Sequence, residues 1–84
     1  MPQLTNASIA SECERIGKHL TACGAASSEI IRIQIGIEET LLRYREAFGD
    51  TAEFKIDFGK RLGRISVQLT VPGPMQDASV KYRL

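Results

Sequence analysis

Between Ile30 and Phe48 the chain carries two competing periodicities, and which one prevails decides the fold. Ile31, Ile33, Ile35 and Ile37 alternate with Arg32, Gln34, Gly36 and Glu38, which is a strand pattern in β-branched residues. Over a longer window Ile30, Ile33, Ile37, Leu41, Tyr44 and Phe48 recur at helical spacing, widened by Ile31, Ile35 and Leu42. The segment EETLLRYREAF that follows is strongly helical, and no breaker stands before it. A strand would have to become a helix at Ile37-Glu38 with no turn residue. A helix over about residues 28–48 is therefore expected. Its β-branched run and Gly36 are unfavourable in a helix interior. Burial has to offset that, so this helix should be the most buried element.

The segments on either side read more simply. Residues 1–5 look like a frayed lead-in. Thr5, Asn6 and Ser8 are all candidate N-caps for a first helix over about 7–22. Ile9, Cys13, Ile16 and Leu20 form its apolar stripe. Cys23-Gly24 should end it, and Ser27 or Ser28 should cap the second helix, with Glu29 in the first turn. Gly49-Asp50 closes that helix. Phe54, Ile56 and Phe58 then alternate with polar residues, as do Ile65, Val67, Leu69 and Val71. These patterns predict strands over about 52–58 and 64–71, joined by a five-residue loop from Gly59 to Gly63. Pro72-Gly73-Pro74 stops the second strand. In the tail, 72–84, Val80, Tyr82 and Leu84 alternate, which predicts a short third strand or a segment continued in a longer protein. The expected architecture is a single α+β domain over 1–84, two helices followed by an antiparallel β-hairpin in a two-layer sandwich.

Bulk properties exclude several classes. The chain of 84 residues has 11 basic and 10 acidic residues and a net charge of +1. That balance gives no general electrostatic case for nucleic acid or for an anionic membrane surface. Cys13 and Cys23 do not make a disulfide framework, and with His19 as the one histidine they lack zinc-ligand spacing. Neither a metal nor a cofactor is expected. No apolar run nears the roughly 20 residues of a membrane span, and the start has no secretory pattern. A cytoplasmic segment without membrane insertion is expected.

Three groups of residues invite chemistry. Glu38 and Glu39 sit midway along the second helix, about 100° apart. One of them reads as a general base or metal-ordering carboxylate, or both as ion-pair partners of Arg43, Arg32 and Arg45 on a solvated face, which is the preferred reading. Lys60, Arg61 and Arg64 make the hairpin connection basic between two glycines. They suit a phosphate or an acidic partner, or simply a solvated hairpin tip. His19 and Cys23 are four apart on a helix, too few groups for a metal site. Tyr44, Phe48, Phe54 and Phe58 read as core.

The segment IRIQIGIEETLLRYREAFG with the hairpin after it resembles the first half of a histidine-kinase-like (GHKL) ATPase domain. In that family an acidic-leucine-Asn helix activates water and binds magnesium. Glu38-Glu39-Thr40-Leu41-Leu42 is similar to the start of that helix, and Arg43 stands where the Asn would be. Arg offers a metal no carbonyl oxygen, so the resemblance implies a degenerate, non-catalytic half of the fold. From EETLLRYREAFG through FGKRLGRISVQLTVPGP the chain is also similar to soluble segments attached to bacterial sodium:dicarboxylate symporter-like transporters. That likeness implies an accessory cytoplasmic module. The expectation is a non-catalytic regulatory or interaction domain of a larger protein, with Glu39, Arg43, Lys60, Arg61 and Arg64 as candidate contact residues. Its partners would be the rest of that polypeptide, another protein, or a second copy across a sheet edge. Two rivals are a truncated nucleotide-binding module and a basic-loop module for an acidic partner.

Overall fold

The structure, a computed structural model, describes residues 1–73 and 76–84. Helices α1 (Asn6–Ala22) and α2 (Ser27–Phe48) precede strands β1 (Lys55–Arg61), β2 (Arg64–Val71) and β3 (Ala78–Arg83). The strands form one antiparallel sheet in the order β1-β2-β3. The helical period prevails over Ile30–Phe48, and the third strand forms as the alternation of Val80 and Tyr82 predicts. The Pro74 part of the strand stop lies outside the described residues.

α1 begins at Thr5, whose Oγ1 accepts the N–H of Ser8 at 3.2 Å, so Thr5 is the cap among the three candidates. At its other end Gly24 takes φ +83°. This lets the Gly24 N–H reach the Thr21 carbonyl and the Ala25 N–H reach that of Leu20, both at 3.0 Å. Two orphan carbonyls are thereby satisfied by the reversal that turns the chain into α2. α2 starts one residue earlier than its serines suggest. Its N-cap is Ala26, whose carbonyl accepts from the Glu29 and Ile30 N–H groups and whose methyl side chain has no acceptor to add a cap.

Ile9, Ile16 and Leu20 of α1 meet Ile33, Ile37 and Leu41 of α2 over the inner sheet face, formed by Ile56, Val67, Leu69 and Val71. The register aligns these residues across strands: Ile56 with Leu69, Phe58 with Val67, Leu69 with Val80 and Val67 with Tyr82. β2 is consequently the most buried element, ahead of α2, because strands flank it on both sides. α2 has room for only part of its isoleucines. Ile31 and Ile35 are 55% and 52% exposed, and Phe48, at the helix end past the sheet-facing turns, is 50% exposed. Of the other aromatics expected in the core, Phe54 is fully buried and Tyr44 and Phe58 are half-buried.

Gly36 has a packing reason to stand inside a helix. A Cβ there would lie 3.0 Å from Cε1 of Tyr82. The Tyr82 ring sits over this gap, its hydroxyl donates to the Gly36 carbonyl at 3.0 Å, and it lies 2.8 Å from Thr40 Oγ1. The roughly 1 kcal/mol that glycine costs a helix is exchanged for a hydrogen-bonded clasp between α2 and β3.

Two expectations about the chain ends and turns are corrected. The first residues are not frayed. Gln3 bridges Glu53, the Leu4 N–H bonds the Ala52 carbonyl, the Phe54 N–H bonds the Pro2 carbonyl, and Leu4 is fully buried. This pairing takes up residues 52–54, so β1 starts at Lys55 and runs on through Gly59, Lys60 and Arg61. The five-residue loop thus shrinks to Leu62-Gly63, with φ +53° and +79°. Two positive φ values are what a primed hairpin turn needs to match strand twist. Leucine is an unusual residue for the first of them.

Tyr82→Phe removes both hydroxyl contacts while keeping the ring, and should lower stability by about 1–2 kcal/mol, read from urea denaturation midpoints. Leu62 is 94% exposed and gains no packing for its left-handed backbone. Leu62→Asn should therefore raise stability by about 1 kcal/mol, visible as a higher thermal midpoint.

Candidate functional site

Strand alternation sorts the charged residues by face. The helices cover the inner face. The outer face carries three cross-strand rows: Lys55, Thr70 and Ser79; Asp57, Gln68 and Lys81; Gly59, Ser66 and Arg83. Arg61 and Arg64 stand opposite each other at the tip. Lys60 belongs to the other face, opposite Ile65. The basic group expected as a loop is therefore split. Arg61 and Arg64 join Lys81 and Arg83 on the open face, and Lys60 does not. The four enclose, with Leu62, Ile65 and Ser66, a concavity of about 520 Å³.

The charge on this face is poorly balanced. Its carboxylate is Asp57, and Asp57 Oδ2 lies 3.8 Å from Lys55 Nζ. Elsewhere the ion pairs lie on the helices: Arg15 with Glu12 at 2.6 Å, Lys18 with Glu14 at 3.3 Å and Arg32 with Glu29 at 2.6 Å. Among the described residues Arg61, Arg64, Lys81 and Arg83 have no such partner. Arg61 and Arg64 are moreover like charges directly opposite on an antiparallel pair, which destabilises the pairing.

The sheet edges are partly guarded. Arg15 Nη2 donates to the Ile56 carbonyl of β1 and Arg32 Nη2 to the Arg83 carbonyl of β3, both at 3.4 Å. Each guanidinium comes from the helix layer and covers one strand carbonyl.

Glu39 and Arg43 are both exposed on α2, and neither lines this concavity. The expected pairing of Glu38 and Glu39 with Arg43, Arg32 and Arg45 does not form. Arg32 bonds Glu29, one turn earlier, and Arg45 reaches the Asn6 side chain. Glu38 instead lines a smaller hollow of about 210 Å³ between the helices, with Asn6, Ile9, Ala10, Cys13 and Leu42. On the opposite helix flank the His19 ring stacks on Phe58 with centroids 3.8 Å apart, and its Nε2 lies 3.7 Å from Cys23 Sγ. Arg15 covers the same Phe58 ring at 5.1 Å. His19 thus packs as an aromatic. Among the described residues no three His, Cys, Asp or Glu side chains gather to hold a metal ion, and no helix is long and apolar enough to cross a membrane.

Lys81 and Arg83 line the concavity and were not among the residues singled out from the sequence. The signal was there in their alternation with Val80 and Tyr82. It becomes a site only when β3 is paired with β2, which carries Arg83 to Ser66.

Comparison with protein-family models, with curated proteins and with solved structures finds no match to this chain.

Burial pushes the Cys13 thiol above its ordinary pKa, and the carboxylates of Glu38 and Glu12 push the same way. The folded state therefore holds this proton more tightly than the unfolded chain. The stability it contributes is present below the ordinary thiol range and is lost as the pH rises through and beyond it. Less thiolate and less access should make Cys13 alkylate more slowly than exposed Cys23 at about pH 8. Site-resolved mass spectrometry after timed iodoacetamide labelling measures both rates.

Proposed function

We propose that this chain is a non-catalytic interaction domain that holds an acidic polypeptide segment on the open face of its sheet. The observation that carries this reading is the cluster of Arg61, Arg64, Lys81 and Arg83, without carboxylate partners among the described residues, around one concavity. Concentrated like charge raises the energy of the empty state, and an anionic partner relieves it. The surrounding field also favours encounter with such a partner. The face is wide enough for an extended segment lying across three strands.

The resemblance to symporter-attached segments adds a setting. As an accessory domain of a larger protein, this module would find its acidic segment in the same polypeptide or in an associated chain. Tethering raises the effective concentration of a partner and makes modest affinity sufficient. Glu39 and Arg43 have no assigned role in this proposal.

Calorimetric titration with a short polyglutamate peptide tests the reading. Binding is expected at low salt, with affinity falling steeply as salt rises. Arg64→Glu combined with Arg83→Glu should weaken it roughly tenfold or more, with an unchanged far-UV spectrum. If the double variant binds as the parent does, the face is not the binding surface.

A further inference from the structure

We infer that the concavity around Ser66 is a subsite for a phosphoryl group, so that the acidic segment this face receives is a phosphorylated peptide. The inference rests on the reading of the outer face as a binding surface and adds the chemistry of its ligand. Ser66 lies on the central strand between Gly59 of β1 and Arg83 of β3. Toward the tip stand Arg61 and Arg64. Diagonal neighbours on adjacent antiparallel strands lie about 7–8 Å apart, well within the reach of an arginine side chain. Three guanidiniums can therefore converge over one hydroxyl, with Lys81 at the margin of the same hollow.

Gly59 keeps the ground beside that hydroxyl clear. A Cβ at this position would sit 2.8 Å from Ser66 Oγ. With glycine there, the Ser66 hydroxyl can turn toward a ligand. The donor set is three planar guanidiniums, one ammonium and one hydroxyl, with no carboxylate among the lining residues. A carboxylate brings one charge and two oxygens to such a set. A phosphoryl group brings close to two charges and three acceptor oxygens, and forked guanidiniums match it in pairs.

The remaining lining residues are Leu62, 94% exposed, and Ile65, half-buried. The Ile65 side chain packs on the inner face against the core, so Leu62 is the residue that fits an apolar side chain next to the phosphorylated residue, a contact that its exposure leaves open. A lipid surface suits the site less well. The floor is concave, Leu62 is the one large apolar side chain exposed on this hairpin, and the chain carries a net charge of only +1.

The test compares two short Glu-rich peptides of the same sequence, one with a phosphoserine beside a leucine and one with serine, by fluorescence anisotropy. The phosphopeptide should bind roughly tenfold more tightly at about pH 7.5. That preference should shrink toward pH 5, as the phosphoryl group, with a second pKa of about 6, loses a charge. Ser66→Ala should cost the phosphopeptide about three- to fivefold, more than it costs the serine peptide, so the preference narrows. Arg64→Gln should reduce the phosphopeptide preference in a protein whose fold is checked by its amide spectrum. Equal affinity for the two peptides overturns the subsite while leaving the basic face as a binding surface. Failure of both peptides to bind overturns both readings. Inorganic phosphate that moves the Ser66 and Gly59 amides as far as the phosphopeptide does, with no added affinity from the peptide, makes the ligand a free oxyanion and overturns the peptide assignment. Capture by phosphoinositide vesicles without binding of the phosphopeptide overturns it as well.

Discussion

A three-stranded sheet has two faces, and this chain supplies helices for one. That constraint organises the rest of the molecule. The inner face must be apolar along every strand, and Ile56, Val67, Leu69, Val71 and Val80 meet the requirement in register. The outer face carries polar residues, most of them exposed or half-exposed, with Thr70 on the central strand buried. Function can be placed there without disturbing the core, because no helix residue has to change to accommodate it. The clasp of Tyr82 on Gly36 and Thr40 joins the two layers. It holds β3 against α2, and β3 carries Lys81 and Arg83.

The cationic face shows how a near-neutral chain can still present a strong local field. The net charge of +1 is a sum of 11 basic and 10 acidic residues that hides their placement, since Glu12, Glu14 and Glu29 pair with cations on the helices. The sheet keeps its arginines with little to offset them. Charge totals describe solubility and long-range behaviour, and a fold can separate the two signs by a single layer of side chains. Arg61 facing Arg64 across the hairpin illustrates the cost: a like-charge pair at a turn that leucine already strains.

Much of the fold was legible because its signals are local. Gly24 and Gly49 mark helix ends, the helical stripe outlasts the alternating isoleucines, and β2 and β3 alternate cleanly. What was not legible depended on distant partners. Leu4 is one apolar residue in a polar lead-in, and nothing nearby says that it will be buried by pairing with Ala52. That pairing takes up residues 52–54, and the loop shortens at the other end because β1 stays paired with β2 as far as Arg61, which puts Lys60 in phase with Ile56 and Phe58. Ile31 and Ile35 widened the stripe on paper, but a helix packed on the face of this three-stranded sheet buries a narrower strip. At the site, Arg61 and Arg64 were readable as a basic pair. Lys81 and Arg83 required the β2–β3 register, and Glu39 and Arg43 drew attention through a likeness rather than through any contact.

The bridge between Gln3 and Glu53 has a topological meaning. Both helices lie between these two residues, so their backbone bonds close a ring around the helical hairpin and tie its entrance to its exit. The helical hairpin and the strand hairpins can each assemble from neighbours in sequence. This closure cannot, since it joins segments that are adjacent only once both units are in place. Leu4 and Phe54, the side chains it delivers to the core, are then buried together. The amino-terminal strap thus adds a contact between distant parts of the chain to the core that the helices and the sheet already share.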